Sequence, residues 1–166
     1  YKSFRKLNSF QMHSGLNVLI GANGSGKTNF IRFFELLGNI MDANKGLQNY
    51  VSSRGRADAF LFQGMKITPE FNAHLKFGLN EYKFTLRAAD DRSLFFAQES
   101  APFAGPLHGS IKNDQGSGDL ESPLARSTNP RSSQQGVEAP IRDWQVHNFD
   151  DTSPYAPRSE EQKSHL

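Results

Sequence analysis

Eight consecutive residues, Gly21, Ala22, Asn23, Gly24, Ser25, Gly26, Lys27 and Thr28, satisfy G-x-x-x-x-G-K-[ST], and no other feature of the chain limits its fold as strongly. Glycine lets successive backbone N–H groups turn inward with no Cβ in the way, which makes a concave nest for an anion. A helix opening directly after the nest adds unpaired N–H groups and the positive end of its dipole. Lys27 then supplies a point charge for the β- and γ-phosphates of a nucleotide, and the Thr28 hydroxyl a ligand for Mg²⁺. Asn29 follows the Lys-Thr pair and is counted with the loop as a candidate binding residue.

Such a loop needs a strand to deliver it and a helix to receive it, and both are legible. Leu16–Ile20 is a short, largely apolar run ending at Gly21, as expected of a strand buried in a mixed or parallel sheet. Phe4–Met12 has the apolar content of an earlier strand, with His13, Ser14 and Gly15 as its turn. After the loop, Phe30, Phe34, Leu37 and Met41 recur at helical spacing, and Ile31, Phe33, Leu36 and Ile40 widen that face. A helix is predicted over Thr28–Leu37, ending or kinking at Gly38, which costs about 1 kcal/mol relative to Ala. Leu47–Ser53 is predicted as a second, short helix.

From Phe60 the period changes. Phe71, Ala73, Leu75 and Phe77 alternate with polar residues, as do Tyr82, Phe84 and Leu86, and Gly78-Leu79-Asn80 between them is a hairpin signal. With Ser93–Gln98 as a third strand, an antiparallel meander is predicted. The expected organisation is a phosphate-binding lobe with this meander over residues 1–103, a Gly/Ser/Pro-rich connection over 104–140, and the start of a second lobe or a tail over 141–166. Pro102, Pro106, Pro123, Pro130 and Pro140 argue against long regular elements in the connection, apart from a short helix near Leu120–Arg126.

Composition removes several classes of function. With no cysteine, disulfides and thiolate metal sites are excluded. His13, His74, His108 and His165 show no ligand spacing. No apolar run approaches the ~18–20 residues that span a bilayer, so no membrane partner and a cytoplasmic location are expected. Nineteen basic against seventeen acidic side chains are interspersed, so no basic face marks a nucleic-acid binder. Arg54 and Arg56 flank Gly55 and are candidates for phosphate or DNA contact beside the plainer reading of a solvated loop. Tyr1 in place of Met leads to the expectation that the protein begins upstream.

Several stretches carry a resemblance. The run Asn17–Lys27, with Asn23 at the third loop position and Asn29 after the Lys-Thr pair, resembles the ABC/SMC/RecF group of ATPases and, within it, AAA-family ATPases of the RecF/SMC-like type. Lys2-Ser3-Phe4 is similar to the stretch ending the first strand in that group. Trp144–Ser153 resembles a W-x-V-Y-H-F-H-D-T-S stretch of the same proteins, with His147-Asn148-Phe149-Asp150 departing from it. Gly116-Ser117-Gly118 with Glu121-Ser122 looks like another short family stretch. No guanine-specifying Asn-Lys-x-Asp is present, since Asn44-Lys45-Gly46-Leu47 lacks the Asp.

The resemblance implies an α/β fold of the P-loop NTPase kind, an ABC/SMC-head-like lobe with an antiparallel β-subdomain, binding ATP and Mg²⁺. It implies a homodimer of heads in the full-length protein, a basic position near the nucleotide at Lys2, and DNA or a nuclease as possible partners. It also calls for a Walker B strand, a signature motif and a switch His. Trp144–Asp151 is the nearest approach to a Walker B, with His147, Asp150 and Asp151 as candidates near Mg²⁺, but its apolar residues alternate with polar ones. The chain is therefore expected to hold the half that binds phosphate without the half that cleaves it. Lys27 and Thr28 are the candidate catalytic residues for phosphoryl transfer to water; a nucleotide-sensing module acting on a partner without turnover is the alternative.

Overall fold

The computed structural model of the chain describes residues 1–42, 46–102, 118–126, 132–142 and 144. Helix α1 (Lys27–Ile40) follows the loop and is succeeded by α2 (Gly46–Ser53) and a 3₁₀ turn at Ala57–Ala59. Strands β1 (Glu70–Phe77), β2 (Asn80–Ala88) and β3 (Leu94–Ser100) then form one antiparallel sheet in that order. Two helices complete the described residues, α3 (Pro123–Arg126) and α4 (Ser132–Arg142).

The meander follows from the alternation. Phe71 pairs with Leu86, Ala73 with Phe84 and Leu75 with Tyr82, so their side chains share the covered face. Phe77 opposes Asn80 across a two-residue turn, with Gly78 at φ 61° in the first central position. Between β2 and β3 the register slips by one residue: Leu86 opposes Phe96, but Thr85 opposes Gln98. That bulge exchanges the faces of everything beyond it. Leu94 and Phe96 point into the core, and past the bulge it is Glu99, opposite Phe84, that does so.

The covered face carries the helices. Leu36, Leu37 and Ile40 from α1, Met41 at its C-cap, and Leu47 and Val51 from α2 are at most 1% exposed, and Val137 and Ile141 of α4 join the same core. Burying such a side chain contributes about 1.5–3 kcal/mol. Helix α1 continues through Gly38, where the sequence predicted an end or kink. Its neighbours Leu36, Leu37 and Ile40 hold that turn in the core, which outweighs the propensity loss at a single glycine. Helix α4 is a second departure from expectation, an eleven-residue element at the end of a stretch whose prolines argue against long regular elements. Pro140 falls in its last turn, where one lost hydrogen bond is tolerated, and Val137 and Ile141 anchor it.

Two predicted strands are absent. Neither Phe4–Met12 nor Leu16–Ile20 has strand structure, and Leu16, Val18 and Ile20 are 90%, 66% and 91% exposed. Apolar composition alone does not make a strand; a neighbour must satisfy its backbone, and among the described residues the sheet contains β1, β2 and β3 only. Also among the described residues, no helix is long and apolar enough to cross a membrane.

Two carboxylates, Glu99 buried and Glu121 half-buried, tie the later segment to this core. Glu99 is 2% exposed and accepts hydrogen bonds from Tyr82 Oη (2.6 Å), Ser122 Oγ (2.7 Å) and the Leu124 amide (3.0 Å). Glu121 accepts from the Leu47 and Gln48 amides, capping the N-terminus of α2 from far along the chain. Gly46 makes room for that carboxylate: a Cβ there would lie 2.7 Å from both of its oxygens.

Candidate functional site

The loop at residues 21–26 delivers its last residue, Gly26, as the N-cap of α1 with φ 98° and ψ 0°. Gly24 also has a positive φ, 82°. These left-handed residues turn the backbone into the cradle that the motif anticipates, a conformation costing an L side chain roughly 1–2 kcal/mol. The Ser25 amide closes a turn onto the Ala22 carbonyl at 3.2 Å. The first intrahelical bond runs from the Phe30 amide to the Gly26 carbonyl at 2.9 Å. The amides of Lys27, Thr28 and Asn29 precede it, in the turn that a helix leaves without backbone partners.

What surrounds that turn favours an anion. Gly26 has no side chain and α1 has no side-chain cap, whereas most helices use Ser, Thr, Asp or Asn there. The first turn contains no acidic residue to repel an incoming phosphate. Lys27 folds over the loop, its Nζ donating to the Gly21 carbonyl at 2.7 Å and the Ala22 carbonyl at 2.8 Å. Residues Gly21–Ser25 and Thr28 are exposed, so the nest opens to solvent. The donor set (successive amides, one ammonium, one hydroxyl) is the chemistry that a nucleotide phosphate with Mg²⁺ requires, and the residues present fit that group.

Of the other sequence candidates, some reach the loop and others are engaged elsewhere. The Asn29 carboxamide donates to Ser3 Oγ at 2.9 Å, so the residue after the Lys-Thr pair is occupied by the N-terminal segment. The Lys2 ammonium lies 4.7 Å from the centre of the Phe60 ring and 5.8 Å from that of Tyr1, a cation–π arrangement. Partial burial, and then Arg32 and Arg54, push its pKa below the usual lysine range. Arg54 pairs with Glu35 at 2.7 Å and covers the Tyr50 ring, while Arg56 donates to the Asp91 carbonyl at 3.3 Å. Both arginines thus have partners in the fold itself.

Among the described residues, His13 and His74 add no second centre. His74 sits 3.0 Å from Glu81, whose carboxyl is held down to about 2 by its hydrogen bond to Lys83 and, further, by His74 and Lys76. His13 contributes its backbone to a turn closed by Asn17. Among the described residues no group of three or more His, Asp or Glu side chains is placed to hold a metal ion. His108, His147, Asp150, Asp151 and His165 lie outside the described residues, as do Gly116 and Ser117. Trp144, the start of the would-be Walker B stretch, packs on Phe34 and Phe77 with ring centres 4.9 and 5.9 Å away.

An open groove of about 2330 Å³ runs between Leu7, residues 9–12, Phe30 and Phe34 of α1, the sheet and Trp144. Its lining stops at Phe30 and includes no loop residue from 21 to 29. It is larger than the ~300–1,000 Å³ of small-molecule pockets, and its lining separates it from the phosphate nest.

Sequence reasoning missed Ser3 and Phe4. A Cβ at Gly26 would stand 2.7 Å from Phe4 Cζ and 3.2 Å from Ser3 Oγ, so both residues lie against the loop. The Lys2-Ser3-Phe4 run holds the signal, with the charge of Lys2 its more conspicuous feature.

A protein-family model described as "AAA domain, putative AbiEii toxin, Type IV TA system" matches residues 16–144, well over half of the chain. No curated protein and no solved structure matches.

Proposed function

The chain belongs to the AAA-domain family whose model it matches, a family of P-loop ATPase-like domains, and on that premise we propose that it is the ATP-binding portion of an ABC/SMC/RecF-like ATPase. The observation that carries this reading is the Gly21–Thr28 loop opening onto a helix with neither a side-chain cap nor an acidic first turn. The amides of the nest and of the first turn would hold phosphate oxygens. Lys27 Nζ would exchange the Gly21 and Ala22 carbonyls for the β- and γ-phosphates, and the Thr28 hydroxyl would hold Mg²⁺. The ion, when bound, supplies charge neutralisation on the phosphoryl group.

Residues 21–29 include no carboxylate. Hydrolysis in this reading draws the group that orients water from outside the loop, in a second lobe or a partner head, and a homodimer of heads supplies it. A nucleotide-sensing module acting on DNA or a nuclease partner without turnover fits the same loop. In either form the protein is proposed to work in the cytoplasm.

Calorimetric titration of the chain with Mg·ATP and Mg·GTP, alongside Lys27→Ala, tests the reading. Binding of ATP that Lys27→Ala abolishes is the expected result. Absence of binding by a chain that unfolds cooperatively would remove the nucleotide reading.

A further inference from the structure

Loops of this kind are fixed on one side by a sheet strand, yet here Leu16, Val18 and Ile20 are exposed and residues 16–20 form no strand. The first turn of α1 is instead gripped at three points by the N-terminal segment. Ser3 Oγ accepts from the Asn29 carboxamide at 2.9 Å. The Phe4 ring lies against Gly26, closer than any Cβ would allow. The Phe10 ring meets Phe30 edge-on with centres 4.8 Å apart.

This strap is rooted in the core. The Phe4 amide donates to the Tyr1 carbonyl at 2.8 Å, and the Lys2 amide to the Phe60 carbonyl at 2.8 Å. Phe60 is fully buried, and the Tyr1 ring packs on Phe71 of β1 at 5.3 Å. A continuous path of contacts therefore joins the sheet to the two residues that flank Lys27 and Thr28.

We infer that Ser3 and Phe4 are positioning residues of the phosphate site: they fix the Gly26 cap and the Asn29 end of the first turn, so that the nest is held open in the geometry a nucleotide needs. The inference rests on the nucleotide reading above. Physically, a preformed site spares the ligand the free energy of ordering it, and small misplacements of such donors weaken binding steeply. Ser3 acts through Asn29 and Phe4 through the Gly26 backbone.

The test is calorimetric binding of Mg·ATP to the full chain and to Ser3→Ala, Ser3→Thr, Phe4→Leu, Asn29→Ala and the Ser3→Ala/Asn29→Ala double variant, with nucleotide-free unfolding measured for each. Ser3 is exposed, so Ser3→Ala is expected to leave nucleotide-free unfolding unchanged. Its Kd is expected to rise about three- to ten-fold, the worth of one hydrogen bond. Ser3→Thr, which keeps the acceptor oxygen, restores the affinity, and Ser3→Ala has no further effect once Asn29 is alanine. Phe4→Leu weakens binding while the chain still unfolds cooperatively. Unchanged affinity in Ser3→Ala and Phe4→Leu would overturn the strap and leave the nucleotide reading standing. So would a loss in Ser3→Ala that persists undiminished beside Asn29→Ala. Failure of the unmodified chain to bind would overturn both.

Discussion

Alanine at three glycines around α1 separates helix propensity, backbone strain and steric collision. Gly38 lies inside the helix and nothing stands within 4 Å of the Cβ it lacks. Gly38→Ala is expected to stabilise the fold by about 0.5–1 kcal/mol, roughly 1–4 °C in Tm for a chain of this length. Gly24 has the same open surroundings but φ 82°, so Gly24→Ala carries the left-handed penalty alone, a loss of about 1–2 kcal/mol. Gly26 combines φ 98° with Phe4 Cζ at 2.7 Å from the new Cβ. Adding overpacking of about 1–3 kcal/mol brings Gly26→Ala to a loss of about 2–5 kcal/mol. Denaturant unfolding followed by the fluorescence of Trp144, the chain's one tryptophan, reads all three. Its ring sits against Phe34 of α1 and Phe77 of β1, so it reports the helix and the sheet together. The predicted order is Gly38→Ala above the unmodified chain, then Gly24→Ala, then Gly26→Ala. If Gly26→Ala were no worse than Gly24→Ala, Phe4 would not be seated on the loop. If Gly38→Ala were destabilising, the continuity of α1 would be wrong.

Two further expectations concern a buried acid and an exposed run. Burial, and after it the Asp119 charge, raises the Glu99 carboxyl above the usual range against the pull of its three donors. The folded state then holds the proton more tightly than the unfolded state does, so the associated stability is present below about pH 4.3 and is lost as pH rises through the folded value. Glu99→Gln should flatten that fall in unfolding midpoints measured from pH 4 to 8, and parallel profiles for the two proteins would contradict the assignment. Ile20→Ser, at a side chain 91% exposed, should change stability by no more than about 0.5 kcal/mol. A loss of several kcal/mol would show instead that residues 16–20 are a buried strand.

The parts of the fold legible in the sequence are those whose signal is local. The Gly21–Thr28 spacing and the period of Phe30, Phe34 and Leu37 locate the loop and α1, and the alternation from Phe71 to Leu86 locates the hairpin. What stayed hidden depends on partners distant in the chain. Leu16–Ile20 reads as a strand because composition carries no information about a neighbouring strand. Glu99 is buried because of a one-residue bulge, which alternation alone does not reveal. In sequence Glu121-Ser122 is legible only as a family-like stretch, yet Glu121 caps α2 and Ser122 donates to Glu99. Within the site, the sequence places Asn29 beside the Lys-Thr pair, but its hydrogen bond to Ser3 spans 26 positions and leaves no pattern to read.

The cap that Glu121 places on α2 bears on the order in which the molecule assembles. An eight-residue helix is too short to persist in water unaided, since isolated helices below ~12–15 residues are marginal. Its capping carboxylate is separated from the Leu47 amide it receives by 74 positions. Closing so long a loop is entropically slow, so α2 cannot serve as a seed for collapse. Its N-terminal cap is completed only when the chain around residue 121 arrives, whereas α1 and the β1–β2 hairpin have local reasons to form. A nascent chain that has emerged only as far as the sheet thus still lacks the carboxylate that caps one of the helices of its core.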